Sequence, residues 1–131
     1  MTITGKIELM APAGNFESLQ AALDNGADSI YFGVEQLNMR ARASINFTLD
    51  DLQEISNRCK AKNVRTYLTL NTIIYDHDLT IVKTLLQKAK NAGITAVIAM
   101  DQAVIASARA IGMEVHISTQ INITNIETVK F

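Results

Sequence analysis

Four polar residues carry the side chains best suited to chemistry, and each lies within or soon after a short apolar run. They are His116, Gln120, Asp101 and Asn71. An imidazole or a carboxylate can move a proton, and a carboxamide can hold a substrate by hydrogen bonds. These four are the candidate catalytic residues, although the sequence offers no complete set of nucleophile, base and orienting group.

Three of these residues also have a structural interpretation. Asp101 stands where a helix would begin, which predicts an N-cap. Asn71 could satisfy the polar groups of its own turn. His116 lies between two aliphatic residues, and a lone strand histidine could be a hydrogen-bonded core residue. The sequence leaves both interpretations open for each residue.

Three further residues are candidates for substrate binding. Arg40 and Arg42 lie in the long link Val34–Phe47, and in extended backbone they would point the same way. Such a pair could clamp a carboxylate or a phosphate, or could simply be surface charge. Asn122 follows His116 and Gln120, where it could supply a polar contact to a substrate.

The sequence predicts no metal site. Cys59 is the only cysteine, which excludes an internal disulfide and an all-cysteine metal site within the chain. It lies on an apolar helical stripe, so we expect it to serve packing. His77 is flanked by Asp76 and Asp78, but this short polar run lacks the spacing of a convincing metal site.

Composition gives only broad limits on function. The 131 residues include 12 Lys and Arg against 13 Asp and Glu, a net charge of −1. The chain as a whole is therefore not basic enough to attract nucleic acid, and RNA binding would need a local patch of positive charge. We find no apolar run with the length of a signal peptide or membrane span, so we expect a cytoplasmic protein that binds no membrane.

The elements that must position these residues alternate between strands and helices. Four helical stretches end at Gly or Asn, residues that tolerate the left-handed conformation, and a strand begins soon afterwards. The predicted strands are Ile7–Met10, Ser29–Gly33, Val64–Leu70, Ala96–Met100 and Glu114–Ser118. Helices are predicted from about Asn15 to Asn25, after the caps Thr48, Asp78 and Asp101, and from near Asn125. This alternation predicts an α/β protein with a parallel sheet.

Two architectures fit five such units. One is a flavodoxin-like open parallel sheet, which would be complete at this length. The other is the first half of a TIM-barrel-like (β/α)8 domain, which needs about 250 residues in full. The short last helix favours the truncated barrel, with residues 1–131 as its single N-terminal part. Such a half-barrel would expose a strand edge and apolar helix faces, so we expect the chain to self-associate.

In a barrel, strand alternation would set the direction of His116. If Val115 and Ile117 face the helices, His116 points into the barrel, on the same side as Ser118 and Gln120. This placement would bring the histidine towards a ligand bound at the carboxyl ends of the strands.

Several stretches of the chain resemble the collagenase-like peptidases of unassigned catalytic type, family thirty-two of the U class. These are Glu8–Gly14, Gly26–Gly33, Arg40 and Arg42 with Phe47, Ala99–Asp101, His116–Asn122 and Thr128–Phe131. The match covers nearly the whole chain in the right order. The resemblance implies a TIM-barrel-like N-terminal domain.

The resemblance implies two kinds of activity for the intact protein. Some family members are described as collagen-degrading proteases. Others are oxygen-independent hydroxylases of transfer RNA, ribosomal RNA or ubiquinone precursors, which use prephenate as the oxygen donor and in several cases an iron–sulphur cluster. The family's signature cysteines lie downstream of this match, and Cys59 does not correspond to them. We therefore expect no cofactor within this chain and no activity from it alone.

The leading interpretation is the N-terminal fragment of a peptidase-named protein whose intact form hydroxylates RNA bases. Arg40 and Arg42 would then contact phosphates, and His116, Gln120 and Asn122 would contact the substrate. A true peptidase acting on peptides would need catalytic groups from the missing half, since this chain has no triad and no H-E-x-x-H motif. The alternative from another class is a stand-alone flavodoxin-like binding or regulatory domain without catalysis.

Overall fold

The computed structural model describes residues 5–34 and 47–130. Its five strands are β1 (Met10–Pro12), β2 (Ser29–Phe32), β3 (Arg65–Leu70), β4 (Ala96–Ala99) and β5 (Glu114–Ile117). Its α-helices are α1 (Phe16–Asp24), α2 (Leu52–Ala61), α3 (Leu79–Ala92), α4 (Gln102–Ala110) and α5 (Ile126–Lys130). Short 3₁₀ turns cover Leu49–Asp51, Asp76–Asp78 and Thr119–Ile121.

The order of the strands decides between the two predicted architectures. The sheet runs β1-β2-β3-β4-β5, and every neighbouring pair is parallel. A flavodoxin-like sheet would place its strands in the order 2-1-3-4-5, with helices on both faces. Consecutive parallel strands are instead the arrangement of a TIM-barrel-like domain. The α/β barrel prediction is confirmed, and the flavodoxin-like alternative is wrong.

The two faces of the sheet have different cores. Alternate strand residues, among them Ile30, Leu68 and Val97, join the apolar cluster formed with α1 to α4. We call the opposite face, which turns away from these helices, the inner face. Tyr67 and Ala96 are buried there, at 1% and 0% exposure, outside the helix-side cluster. The inner face therefore has packing of its own.

Local signals in the sequence set the helix ends. The Asp51 carboxylate accepts hydrogen bonds from the Thr48 backbone N–H and Oγ1 at 2.7 and 2.9 Å, which confirms the predicted capping box. Gly93 ends α3 with φ of 83°, and Asn63 follows α2 with φ of 57°. Both lie in the left-handed region, as the predicted helix stops require.

Lysines bind successive helices together at their C-terminal ends. The Lys60 ammonium, from α2, lies 3.5 Å from the carbonyl oxygen of Ala92 in α3. Lys90, from α3, donates in the same way to the carbonyl of Ile111 after α4. Each cation meets the negative end of the next helix dipole, which is the favourable arrangement.

The first strand differs from its prediction. It begins at Met10 rather than Ile7, and Ile7 is 80% exposed. The reason is that Asp28 engages the Leu9 backbone: the Leu9 N–H donates to the Asp28 carboxylate at 2.9 Å, and the Leu9 carbonyl accepts from the Asp28 N–H. The same carbonyl also accepts from the Ser29 N–H, which is the first hydrogen bond of the ladder, so the pairing with β2 starts at Met10.

The predicted cap at Asp78 has a different hydrogen bond from the one expected. Asp78 does stand at the N-cap position of α3, but its carboxylate accepts from the Tyr75 N–H at 3.1 Å. It thus closes the preceding 3₁₀ turn instead of holding the first turn of the helix. Asn125 is a true cap, because its side-chain oxygen accepts from the Thr128 N–H at 3.0 Å.

Candidate functional site

Asp101 follows β4 at the carboxyl edge of the sheet and has both carboxylate oxygens engaged. One accepts a hydrogen bond from the Ala103 N–H at 2.8 Å, which confirms the predicted helix cap. The other accepts from the Ile74 N–H at 3.1 Å and so ties the loop after β3 to the start of α4. The carboxylate therefore positions the loop and the helix, and its role in catalysis stays a prediction.

Asn71 lies at the same edge, as the first residue after β3, and is half-buried. Strand alternation places it on the same face as Thr69 and Tyr67, which is the inner face. The Thr69 hydroxyl donates to the carbonyl of Phe32 at 3.0 Å, linking β3 to β2 beside it. Asn71 is therefore placed where a ligand above the inner face would meet its amide.

A tight turn after β5 carries two more candidates. The Ser118 N–H donates to the Ala99 carbonyl at 2.8 Å, which continues the pairing of β5 with β4. The buried Ser118 hydroxyl accepts from the Gln120 N–H at 3.5 Å and shapes the turn. Gln120 is half-buried, while Asn122 is exposed and left-handed, with φ of 56°. These residues lie beyond the carboxyl end of β5, as Asp101 and Asn71 lie beyond β4 and β3.

His116 lies within β5 and turns its ring to the inner face, where its contacts differ from those expected. Its Nε2 atom lies 2.6 Å from Oε1 of Glu114, and its ring centroid lies 4.7 Å from that of Tyr67. We expected it near Ser118 and Gln120 instead. Glu114 stands two residues earlier on the same face of β5, which places its carboxylate beside the ring.

Five residues form what we call the inner-face cluster: Glu8, Arg65, Tyr67, Glu114 and His116. The Tyr67 hydroxyl donates to Oε1 of Glu8 at 2.7 Å, and the Arg65 guanidinium pairs with the other oxygen of Glu8. The same guanidinium lies 5.9 Å from the centre of the Tyr67 ring. Opposite charges thus flank a buried phenol that contacts the imidazole.

A small residue makes the contact between Tyr67 and His116 possible. The two residues lie on β3 and β5, with β4 between them, so their backbones are about 10 Å apart. In the sheet register, Ala96 of β4 pairs with Tyr67 on one side and Glu114 on the other. Ala96 carries only a methyl group at this position between the two strands and is completely buried, and the ring centroids of Tyr67 and His116 lie 4.7 Å apart.

The sequence interpretation missed Glu8, Arg65, Tyr67 and Glu114. Two of the pairs carried a usable signal, because Arg65 with Tyr67 and Glu114 with His116 are spaced i, i+2 and must share a strand face. No local pattern could have placed Glu8, which precedes Tyr67 by 59 positions.

The remaining predicted residues stand apart from this cluster. Arg40 and Arg42 lie outside the described residues. Cys59 is buried in α2, and burial raises the pKa of its thiol to about 11, in agreement with the predicted packing role. The His77 ring stacks in parallel on Tyr75, at 5.9 Å between centroids.

The described residues offer neither a metal site nor a membrane-spanning helix. Residues 5–34 and 47–130 contain no group of three or more His, Cys, Asp or Glu arranged to hold a metal ion. The helices in these same ranges are too short or too polar to cross a membrane.

Comparison with known proteins gives a consistent result. A family model described as peptidase family U32 matches residues 14–131. A collagenase of Porphyromonas gingivalis is 52% identical over 124 residues, which cover 95% of this chain and 30% of that protein. The tRNA hydroxylation protein P1 of Bacillus subtilis is 32% identical over 131 residues, 98% of this chain and 31% of that protein. The chain thus spans about a third of the length of these relatives.

A solved structure supports the fold independently. The HMG-CoA lyase of Bacillus subtilis, which is TIM-barrel-like, matches with a TM-score of 0.68 over 92% of this chain and 50% of its own length. At 17% identity this likeness concerns the fold alone. It agrees with the consecutive parallel strands described above.

Proposed function

This chain belongs to peptidase family U32, and we propose that it is the N-terminal part of an enzyme that hydroxylates an RNA base. The substrate would lie at the carboxyl edge of the sheet, above the inner face. An RNA substrate also places the reaction in the cytoplasm. The relative of Bacillus subtilis named for tRNA hydroxylation supports this choice, because its similarity extends over 98% of the chain.

The observation that carries the proposal is the chemistry of the candidate site. The hydrogen-bond partner of His116 is the carboxylate of Glu114. Within residues 5–34 and 47–130, no hydroxyl or thiol forms a hydrogen bond with this imidazole, so the described residues contain no hydroxyl–histidine or thiol–histidine pair of the kind used in covalent hydrolysis. They do supply amide and imidazole groups at Asn71, Gln120, Asn122 and His116, which suit the polar edge of a nucleobase.

Each group would have a distinct role in holding RNA. Gln120 and Asn122 would form hydrogen bonds with the base, because a carboxamide has both a donor and an acceptor. His116 would accept a hydrogen bond from the same base. Arg40 and Arg42 would contact phosphates, which supply affinity and register rather than base recognition.

The residues of this chain do not fit the iron–sulphur cluster of the hydroxylases in this family. Cluster iron is held by cysteine thiolates. Cys59 is the chain's only cysteine, and it is buried in the core with a raised thiol pKa. Ligands for such a cluster would have to come from the rest of the intact protein, and no step of our proposal passes through it here.

Hydrolysis of a peptide is the second candidate function. It is favoured by the collagenase relative, whose identity to this chain is 52%. Such an activity would draw its nucleophile or metal from the rest of the intact protein.

The deciding experiment compares cells with and without the intact gene. Nucleosides from their transfer and ribosomal RNA are analysed by mass spectrometry, and the purified intact protein is assayed for peptide and gelatin cleavage. A hydroxylated nucleoside that disappears with the gene and returns with it supports the proposal. Unchanged nucleosides together with peptide cleavage would replace it with the second function. Iron and acid-labile sulphide in protein purified without oxygen test the cluster separately.

The isolated 131-residue chain is also proposed to self-associate. Several apolar side chains near β5 are exposed, including Ile117 at 46%, Ile126 at 63% and Val129 at 63%. Patches of this kind promote association in water. Light scattering should detect species larger than a monomer, and a monodisperse monomer would contradict the proposal.

A further inference from the structure

His116 is held on two sides, and the two contacts constrain different properties of its ring. Glu114 receives Nε2 at 2.6 Å, while the Tyr67 ring lies at 4.7 Å with an angle of 52° between the ring planes. The phenol limits the rotation of the imidazole, and the carboxylate selects which nitrogen points towards it. Of the two contacts, only the one with the Glu114 carboxylate can determine which nitrogen of a neutral imidazole carries the proton.

The chemistry of this pair fixes the proton. A glutamate carboxylate is an acceptor, so a neutral imidazole that meets it through Nε2 must carry its proton on Nε2. The other nitrogen, Nδ1, then has a free electron pair. Since the two nitrogens of an imidazole point in nearly opposite directions, Nδ1 is directed away from Glu114, which precedes His116 in the strand.

We infer that Glu114 is a positioning residue that holds His116 as the Nε2–H tautomer and presents Nδ1 to the substrate as a hydrogen-bond acceptor. The group it would accept from is an N–H or O–H of the bound substrate, such as the N–H of a nucleobase. The inference rests on the proposed function only in assigning this substrate class. The arrangement of the two side chains is independent of the reaction.

The surroundings of the pair support a positioning role over a stabilising one. The side chains of Glu114 and His116 are 58% and 36% exposed, and pairs at such exposure contribute little to stability. Tyr67 is buried beside them and anchored by Glu8, so one side of the imidazole meets a rigid surface. A ring confined in this way needs only one hydrogen bond to adopt a single orientation.

The first test is spectroscopic and uses the 131-residue chain labelled with ¹⁵N in its two histidines, His77 and His116. At a pH where both rings are neutral, the Nε2–H proton of His116 should be protected from exchange and therefore visible. Glu114→Ala should abolish that resonance. Glu114→Gln should retain it, because the amide oxygen still accepts the hydrogen bond. His77 is the internal reference: its Nε2 atom lies 3.5 Å from Oδ1 of Asp78 against 2.6 Å for the His116 pair, and its side chain is 81% exposed, so exchange with solvent should remove its resonance.

The second test measures turnover of the intact protein, by RNA hydroxylation or by whichever reaction the wild type catalyses. Glu114→Ala should lower kcat about 10-fold, as expected for one charge-assisted hydrogen bond, with KM nearly unchanged. Glu114→Gln should recover most of the loss.

The results separate the two proposals. A His116 resonance that persists in Glu114→Ala, or a kcat that this variant leaves unchanged, would overturn the role of Glu114 without affecting the proposed function. Peptide cleavage by the wild type in place of RNA hydroxylation would overturn the proposed function, while the spectroscopic result and the effect on kcat would still decide the role of Glu114.

Discussion

The two edges of the sheet use their polar residues differently. At the amino-terminal edge, charged side chains are paired: Lys6 with Asp28 and Arg65 with Glu8. Lys60 there also reaches the end of the next helix. At the carboxyl edge, most candidate side chains are uncharged amides.

The difference separates stability from function within one small sheet. At one edge, the lysine contacts at the helix ends hold the βα units together, and the exposed ion pairs add a small stabilisation. Barrels place their ligands at the opposite edge, where loops can vary without disturbing the strands. His116 and Tyr67 lie within strands β5 and β3, between the two edges, and their cluster includes Glu8 and Arg65 of the amino-terminal edge.

The strongest test of this division is His116→Ala in the intact protein. We expect turnover to fall about 100-fold, the usual contribution of a well-placed proton-transfer or hydrogen-bonding group. The free energy of unfolding should change little, because the ring is partly exposed. Kinetic assays and urea unfolding measure the two quantities.

The matched control for that substitution is His77→Ala. His77 has the same side chain but stacks on Tyr75 in an exposed 3₁₀ turn. The His77→Ala protein should keep the turnover of the wild type. A folded His116→Ala protein with wild-type turnover would remove His116 from the site.

Gly93→Ala tests the opposite edge and should affect stability alone. Gly93 has φ of 83°, and a Cβ atom there would lie 2.1 Å from the Lys60 ammonium nitrogen. The substitution therefore combines backbone strain with displacement of the lysine from Ala92. We expect a loss of about 1–3 kcal/mol in the free energy of unfolding, the range for a strained backbone position.

Asn63→Gly is the comparison for that loss. Asn63 occupies a left-handed position after α2, with φ of 57°, and glycine is unstrained there. The free energy of unfolding of the Asn63→Gly protein should equal that of the wild type or be slightly higher. Equal unfolding midpoints for the Gly93→Ala variant and the wild type would show that this helix end does not need the left-handed residue.

Asp101 lies at the carboxyl edge, but both of its carboxylate oxygens accept hydrogen bonds from backbone N–H groups. Like the charged residues of the amino-terminal edge, it has structural partners, and it is therefore an informative exception. Asp101→Ala removes the cap to Ala103 and the tie to Ile74, and we expect it to cost about 1 kcal/mol, as lost N-caps do. Asp101→Asn should lose less, because its one side-chain oxygen can still cap Ala103, although the tie to Ile74 is lost. Urea unfolding measures both variants.

The asparagine variant also decides between the two interpretations of Asp101. Normal turnover in a folded Asp101→Asn protein would assign the residue to capping alone. A folded variant with lost turnover would show that the Asp101 carboxylate acts on the site, either in catalysis or by positioning the loop through Ile74, and would weaken the division between the edges.

Local sequence patterns predicted the parts of this molecule that local forces determine. The Thr48–Asp51 box, the Asp101 cap and the helix stops at Asn63 and Gly93 involve residues close in sequence, and the structure confirms them. The consecutive strand order could not be read from the same patterns, because both predicted architectures alternate strands with helices. Family resemblance and the observed topology were needed to decide.

The inner-face cluster was harder to predict for a physical reason. Its contacts join β1, β3 and β5, and the Tyr67–His116 contact depends on the small size of Ala96 between them. Alternation assigned His116 to the correct face. It could not identify Tyr67 as a neighbour two strands away, since that requires the register of the sheet.

The smallest predicted effect concerns Asp28 at the amino-terminal edge. A hydrogen bond from Lys6, followed by one from the Leu9 N–H, lowers the pKa of the Asp28 carboxyl below its ordinary value of 3.8. Because the folded pKa is below the unfolded one, the carboxylate contributes its full stabilisation above pH 3.8. That contribution is lost as the pH falls from there through the folded pKa.

Asp28→Asn removes this pH dependence and tests whether paired charges hold the amino-terminal edge together. The variant should be less stable than the wild type at pH 7, and the two should converge as the pH falls below 3.8, where the wild-type carboxyl becomes neutral. Unfolding followed at several pH values measures the difference. A constant gap would mean that Asp28 acts through packing or backbone geometry, and the contrast between the two edges would then rest on the lysine contacts at the helix ends.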